Sequence, residues 1–480
     1  MRSKKKITLI DKKKIDLTGK EVVLVQGMGF VGSVMALVCA NSKKRFVFGV
    51  DLPKKNIKKK LVRLNNGKFP FLAEDKKINS YLKNSIKKKN FYCTTSLKPY
   101  SYADIIIVDV NLDVSKQNSS INKFTNFSLD LEPFKKAIKT IGENCKDDAL
   151  IIVESTVPPG TCKKIVAPII KSTLKERGLS EKKICIAHSY ERVMPGKNYV
   201  NSIINFHRVY SGNDQKSCHA ASKFLKTIIN TKKYPLTKLN STTETETAKI
   251  LENSFRAMNI AFMVEWSRFS EITKLNIYNI VKAIRKRPTH KNIMLPGIGV
   301  GGYCLPKDPL LAQWSLNNFY NSNKNLDFSY KSIQTNNLMP YYAYRFTKKY
   351  LKKMKNKKII LMGCAYTGDV SDTRYSPVEY YYKLLKKNKC KIKIYDPYVK
   401  YWNEINIKTL KKNEFFKEES DAIIICTDHH KFRDNKNLID NLMLKKKKII
   451  IDLIGVLNDR EINKLKQKHE IKILGRGDLD

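Results

Sequence analysis

The stretch EVVLVQGMGFVGSVMALVCANSKKRFVFGVD, residues 21–51, restricts this chain more than any other. The run EVVLVQ has the length and composition of a strand buried on both faces. Gly27, Gly29 and Gly32 follow at once in GxGxxG spacing, and SVMALVCANS continues as a helix. A second apolar run, RFVFGV, ends on Asp51, about 20 residues beyond the glycines. Strand, glycine loop, helix, strand and terminal acid form the pattern of a dinucleotide-binding crossover. In that pattern Gly27, Met28, Gly29, Phe30, Val31 and Gly32 bring backbone amides and a helix N-terminus to a pyrophosphate. Asp51 suits ribose hydroxyls and repels a 2′-phosphate, which favours NAD over NADP. Lys54 and Lys55 beside it act against that preference.

Strand-like runs recur as ADIIIVDV, ALIIVEST and KICIAHS, with helical segments such as LEPFKKAIKTIGENC between them. From Thr243 to Ile284 the chain has no Pro or Gly and keeps a helical period, which predicts one extended helix or two. Alternation resumes with KKIILMGCAY, KIKIYDPYV, DAIIICTD and KKIIIDLIG, with SPVEYYYKLLKKN as a helix among them. The expected fold is α/β: two Rossmann-like doubly wound domains joined by a long central helix. The expected division is a basic N-terminal tail at 1–20, a nucleotide-binding domain at 21–240, a central helical domain at 241–340 and a second α/β domain at 341–480.

Of the 480 residues, 42% are apolar, as in a soluble globular protein, and no apolar run is long enough to cross a bilayer. The basic start, MRSKKKITLIDKKKIDLTGK, lacks the apolar core and cleavage site of a signal peptide, so a cytoplasmic protein is expected. The net charge of +48 invites a nucleic-acid reading, but the lysines are spread over the whole chain and no nucleic-acid-binding motif accompanies them. The charge reads as a solvated lysine surface that attracts anionic substrates; no specific nucleic acid and no membrane partner is expected. None of the ten cysteines forms a CxxC pair, which argues against a disulfide framework or a metal site.

Cys304 stands apart in GVGGYCLPKD, residues 299–308, among glycines and directly before Lys307 and Asp308. A simple alcohol dehydrogenase needs no nucleophilic thiol. Oxidation of an aldehyde to an acid can use one: thiolate addition gives a thiohemiacetal, loss of hydride gives a thioester, and water releases the acid. Lys307 could lower the thiol pKa and Asp308 could take a proton. A cysteine in a glycine loop with surface charges beside it accounts for this segment equally well.

Further motifs separate the two readings. GMGFVG, ESTVPPGT at 154–161, SYERVMPG at 189–196, AKILENSFRAMNIAFMVE at 248–265, GVGGYCLPKDP at 299–309 and GCAYTGDVSDTRYSP at 363–377 occur in one order over nearly the full chain. Together they resemble the UDP-glucose/GDP-mannose dehydrogenases. The resemblance implies NAD-dependent, four-electron oxidation of a sugar C6 alcohol to the carboxylate, with a UDP-sugar held by the last domain. Cys304 resembles the family's nucleophile. Lys249 and Asn253, four apart on one helix face, match residues that stabilise the oxyanion and hold water near C6. Asp308 resembles the carboxylate that, with Thr156, positions the water acting in alcohol deprotonation; Thr156 also borders the cofactor. Glu191 resembles the glutamate of thioester hydrolysis, and Lys307 a residue that contacts substrate or supports the thiolate. Arg192 and Gly301 complete the implied substrate set. Arg374 matches an arginine that reaches the nucleotide sugar of a neighbouring subunit, so the resemblance implies a homodimer or a higher homo-oligomer, its interface on the central helix. No metal is expected.

The substrate loop mixes two branches of that family. YERVMPG and RPTHKNI resemble enzymes acting on UDP-N-acetylhexosamines, whereas the Lys307–Asp308 pair is typical of UDP-glucose enzymes. Tyr190 replaces a common proline, and Pro195 stands where UDP-glucose enzymes carry a second glutamate. The reading favours a UDP-N-acetylhexosamine, with the uronate serving surface polysaccharide synthesis; UDP-glucose is the alternative. A small hydroxy-acid dehydrogenase would leave Cys304 and the last domain without a task, and a nucleic-acid-binding protein is suggested by charge alone.

Overall fold

A computed structural model describes residues 7–71, 73–118, 124–193 and 196–479, which fall into two compact units. The first comprises the described residues of Met1–Val114, Leu129–Ile250 and Leu311–Lys324, and the second those of Ser115–Ser128, Leu251–Leu310 and Asn325–Asp480.

Most of the stretch expected as a basic tail is folded. Strands β1 (Ile7–Ile10) and β2 (Lys13–Asp16) pair antiparallel across Asp11 and Lys12, both of positive φ. That is the turn geometry a two-residue hairpin favours. Ile10, Ile15 and Leu17 are buried in the sheet's core. The lysines hide an alternating apolar pattern, and this is why composition alone suggested a tail.

The first unit then runs β3 (Glu21–Gln26), α1 (Phe30–Ala40), β4 (Arg45–Val50), α2 (Lys55–Asn65), α3 (Lys76–Lys88), β5 (Phe91–Thr94) and β6 (Ile105–Val108). A ribbon of β7 (Val114–Asn118) and β8 (Phe124–Leu129), nearly all of it counted in the second unit, follows in the chain. The chain continues through α4 (Glu132–Asn144), β9 (Leu150–Val153), α5 (Ala167–Glu176), β10 (Cys185–His188), α6 (Tyr199–Ile204), β11 (Val209–Gly212), α7 (Gln215–Leu225) and β12 (Thr237–Lys238). The sheet order is β12-β11-β10-β9-β6-β3-β4-β5, parallel except for the β10–β11 pair. Successive strands are added on one side of β3 through β4 and β5 and then on the other from β6, which makes the carboxyl end of β3 the switch point where such sheets bind ligands.

Each strand feeds both faces. Val23 and Val25 pack with α1, α3 and α7 through Leu37, Leu82 and Phe224, while Val22 and Leu24 pack with α4 and α5 through Ile138 and Ile170. Burial on both faces explains the unbroken apolar runs, each such side chain contributing about 1.5–3 kcal/mol.

The segment expected as one helix or two is two. Helix α8 (Thr242–Ile272) begins in the first unit and continues in the second, and α9 (Ile277–Ile284) follows. The break falls where Lys274 takes a positive φ and Asn276 caps α9 by accepting the Tyr278 and Asn279 amides. Beyond α9 come α10 (Asp308–Phe319), α11 (Asp327–Leu351), β13 (Lys358–Met362), α12 (Pro377–Lys387) and β14 (Lys391–Tyr395). A small hairpin, β15 (Tyr401–Trp402) with β16 (Ile407–Lys408), precedes α13 (Lys412–Lys417), β17 (Ala422–Ile425), α14 (Lys436–Leu444), β18 (Ile449–Asp452), α15 (Asp459–Lys466) and β19 (Glu470–Ile473). The second unit's sheet is parallel throughout, in the order β14-β13-β17-β18-β19. No helix among the described residues is long and apolar enough to cross a membrane.

A buried ion pair joins two strand ends of the first unit: Arg208, just before β11, pairs with Glu154, just after β9, and its Nε donates to Ser189 Oγ at 3.1 Å. Burial draws the guanidinium pKa down to about 10. Arg208→Met should cost about 3–5 kcal/mol because Glu154 is left charged and unpaired in the interior, with Glu154→Gln in the same chain recovering part of the loss. Chemical denaturation of the three proteins measures this.

Candidate active site

The glycine loop is shaped by backbone packing. Gly27 has φ +97°, and a Cβ there would lie 2.1 Å from Asp109 O. A Cβ on Gly32 would lie 2.0 Å from Gly27 O and 2.8 Å from Asp109 Oδ2, whereas one on Gly29 would meet nothing within 4 Å. The outer glycines are therefore required by the protein's own packing, and the middle one faces open space. Gly29 is the N-cap of α1, so the first amides of that helix are presented to the opening. Asp51 Oδ2 accepts the Met28 amide at 2.8 Å and Oδ1 the Leu52 amide at 2.7 Å. A carboxylate so placed keeps lone pairs for ribose hydroxyls. Phe30 packs edge-on against Phe69 and Tyr199, at centroid distances of 5.6 and 4.9 Å, and Val31 is half-buried. These residues fit a dinucleotide. Beneath the loop, burial pushes the Asp109 carboxyl up to about 7, with Glu191 adding to the shift and Arg208 opposing it.

The strand ends nearby supply the rest of the first unit's set. Thr156, half-buried, follows β9. Glu191 follows β10, and its Oε2 accepts the Val193 amide at 2.5 Å. Lys249 on α8 donates to Glu191 O at 2.8 Å, with Glu191 Oε1 at 3.5 Å. The Tyr190 ring lies under both cations, 5.5 Å from Lys249 Nζ and 5.5 Å from the Arg192 guanidinium, and Arg192 also donates to the Tyr190 hydroxyl at 3.1 Å. Pro195, singled out in the sequence, lies outside the described residues.

In the second unit Asp308 is fully buried and shared. Asn253 Nδ2 donates to its Oδ2 at 2.7 Å and Lys307 Nζ to its Oδ1 at 2.8 Å. Lys307 also sits 4.6 Å above the Tyr303 ring. The amides of Lys307 and Asp308 both donate to Cys304 O, at 3.0 and 2.9 Å, so thiol and acid pair belong to one tight turn. The other nine cysteines are buried; Cys304 is only half-buried. A Cβ on Gly301 would lie 2.8 Å from Tyr366 Cβ, and one on Gly302, whose φ is +79°, would lie 2.9 Å from the Tyr366 ring. Burial pushes the Tyr366 phenol up to about 12, with Asp372 and Cys304 adding to the shift and Arg374 and Arg256 opposing it. Arg374 is exposed, its Nη2 and Nε resting on Asp372 at 2.6 and 3.0 Å.

Comparison with known proteins identifies the family. Residues 21–229 match the NAD binding domain of the UDP-glucose/GDP-mannose dehydrogenase family, residues 243–337 its central domain and residues 360–459 its UDP binding domain. A UDP-N-acetyl-D-mannosamine dehydrogenase of Methanococcus maripaludis is 30% identical over 462 residues, 95% of this chain and 97% of that protein. The chain belongs to the UDP-glucose/GDP-mannose dehydrogenase family.

It is therefore an NAD-dependent nucleotide-sugar dehydrogenase. The solved UDP-D-ManNAc dehydrogenase of Pyrococcus horikoshii is similar at a TM-score of 0.79 and 28% identity, over 95% of this chain and 100% of that one. A UDP-glucose dehydrogenase of Pyrobaculum islandicum shares the fold at a TM-score of 0.76 and 19% identity, over 95% of this chain and 98% of that one. Asp109 and Glu246 in the first unit and Tyr366 in the second were not singled out from sequence. Glu246 carried one local signal, since it lies three residues before Lys249 and so near its helix face.

Gly32→Ala should abolish NAD binding, because its methyl group would have to displace the Gly27 carbonyl that shapes the loop. Fluorescence titration with NAD, alongside circular dichroism to verify folding, gives the readout; NAD affinity within twofold of the parent contradicts this account of the loop.

Proposed function

We propose that this dehydrogenase oxidises the C6 alcohol of a UDP-N-acetylhexosamine, UDP-N-acetylmannosamine first among them, to the uronate in two successive oxidations. Relatives named for that substrate support the sugar class. The observation that carries the mechanism is the turn in which half-buried Cys304 adjoins the Asn253–Asp308–Lys307 set. NAD bound at the glycine loop supplies the hydride acceptor, one molecule for each oxidation.

In this reading Asp308 and Thr156 hold the water that takes the alcohol proton as the aldehyde forms. Cys304 Sγ adds to the aldehyde carbon, and the resulting oxyanion is stabilised by Lys249 and Asn253. The thiohemiacetal then loses hydride to become a thioester. Glu191 directs a water onto the thioester carbon, the C–S bond breaks, and the Cys304 thiol is restored as the carboxylate leaves. Arg192, Gly301 and Lys307 contact the sugar nucleotide. The product keeps its UDP and so remains an activated donor for polysaccharide assembly, made in the cytoplasm.

A homodimer belongs to the same proposal. Helix α8 leaves Leu251, Phe255, Phe262, Trp266, Phe269 and Ile272 exposed, the first 65% and the last 82%, at spacings that keep them along one side of the helix. An apolar row of that extent on a soluble protein marks an interface. Exposed Arg374 would then reach the partner's substrate.

Incubation with NAD and a panel of UDP-sugars, UDP-glucose included, should yield two NADH per sugar oxidised. Cys304→Ser should lower turnover at least about a hundredfold. One NADH per sugar from the unaltered enzyme would refute the two-step mechanism. Separately, Phe262→Glu with Trp266→Glu should convert the dimer to a monomer in sedimentation experiments, with loss of activity; a variant that sediments with the parent argues against this interface.

A further inference from the structure

Near the start of α8, three side chains each hold a different neighbour of the first unit's sheet. Thr245 Oγ1 lies 2.8 Å from His188 Nδ1 at the end of β10 and 2.7 Å from Ser211 Oγ in β11. Lys249 Nζ donates to Glu191 O beyond β10. Between them Glu246, 1% exposed, accepts the Gly160 amide on Oε2 at 2.5 Å and the Cys162 amide on Oε1 at 2.8 Å.

A carboxyl so deeply buried is costly, and its burial pushes it up to about 7, against which the Cys162, Gly160 and Thr161 hydrogen bonds act. What it holds is the segment 154–161. The same segment is fixed by Ser155 Oγ, which accepts the Val110 amide at 2.8 Å, and by Ser315 Oγ, which donates to Pro159 O at 2.6 Å. Thr156 lies between the Ser155 anchor and the Gly160 anchor. Gly160 has φ +96°, and a Cβ there would lie 2.9 Å from the Tyr320 hydroxyl, so the turn that offers its amide to Glu246 depends on glycine.

We propose that Glu246 is a positioning residue that clamps the Thr156 loop to the helix bearing Lys249 and so holds those two side chains in register for the chemical steps. This rests on the roles assigned above to Thr156 and Lys249. Glu246 acts only through backbone amides of the loop. The glycine loop and Asp51 are held by other contacts, and Thr156 is the one cofactor-bordering residue on the clamped loop, so cofactor affinity should change far less than kcat.

Glu246→Gln keeps the shape of the side chain but turns an NH2 group towards one of the two amides, so one bond is replaced by two facing donors. The expected result is a fall in kcat of about 10- to 100-fold, with the NAD dissociation constant raised by no more than about threefold through Thr156. Glu246→Asp, which keeps both acceptor oxygens, should recover part of kcat. Hydrogen exchange read by mass spectrometry should be at least about tenfold faster over 154–162 in the Gln variant, with the rest of the first unit unchanged.

Parent enzyme that reduces two NAD per sugar, beside a Gln variant with kcat within twofold of it, overturns the clamp. Unchanged exchange over 154–162 overturns it too, whatever the activity. If the parent oxidises no UDP-sugar at all, the functional reading fails instead, and the exchange measurement still decides whether Glu246 holds the loop.

Discussion

The Asp51 carboxylate accepting the Met28 amide is one case of an arrangement on which both units depend: acids at or beside strand ends gather backbone N–H groups from the loops there. Glu246 takes two amides from the loop that follows β9. Asp396 takes those of Cys364 and Ala365 on one oxygen, at 2.8 and 3.3 Å, and those of Tyr398 and Val399 on the other. Asp452 takes four, from Ile454 to Leu457. A chain leaving a parallel sheet loses its ladder partners while still largely buried, and every unpaired amide there is costly. One carboxylate satisfies several at once through charge-assisted bonds, so the loop acquires a single conformation.

The two units use this device to different ends. In the first unit Asp51 is half-buried with one loop amide on each oxygen, which leaves it able to meet a ligand. In the second, Asp396 ends its strand in the same way but is buried and fully engaged. It also accepts from His429 Nε2 at 3.1 Å, a tautomer assigned because His429 Nδ1 accepts the Asp369 amide. The same topology therefore presents an acid to solvent in one unit and uses it as an internal staple in the other. The first matches an NAD binding domain and the second a UDP binding domain.

Against 92 basic residues the chain has only 44 acidic ones. Most of the ion pairs those acids form on the surface are exposed, such as Lys135–Glu132 and Lys383–Glu379, and are worth a few tenths of a kcal/mol. The acids that matter to the architecture are Glu154, Glu246, Asp308, Asp396 and Asp452, all of them buried. A charge count thus describes the surface and says little about the site.

Local pattern alone determined a good deal. The alternation of apolar runs and helices, the glycine loop ending in Asp51, and the distinct setting of Cys304 could all be read because each is written in residues close together along the chain. The hairpin at 7–16 was obscured by its lysines. The antiparallel β11 was not read at all, since pairing direction is set by the path of the intervening chain. Only the tertiary structure joined Asn253 to Asp308, Lys249 to Glu191 and Glu246 to Gly160, pairs separated by 55, 58 and 86 positions. Hydrogen bonds act over about 3 Å, and such distances are reached only after the chain has folded back on itself. Periodicity carries the elements; folding decides which side chains meet.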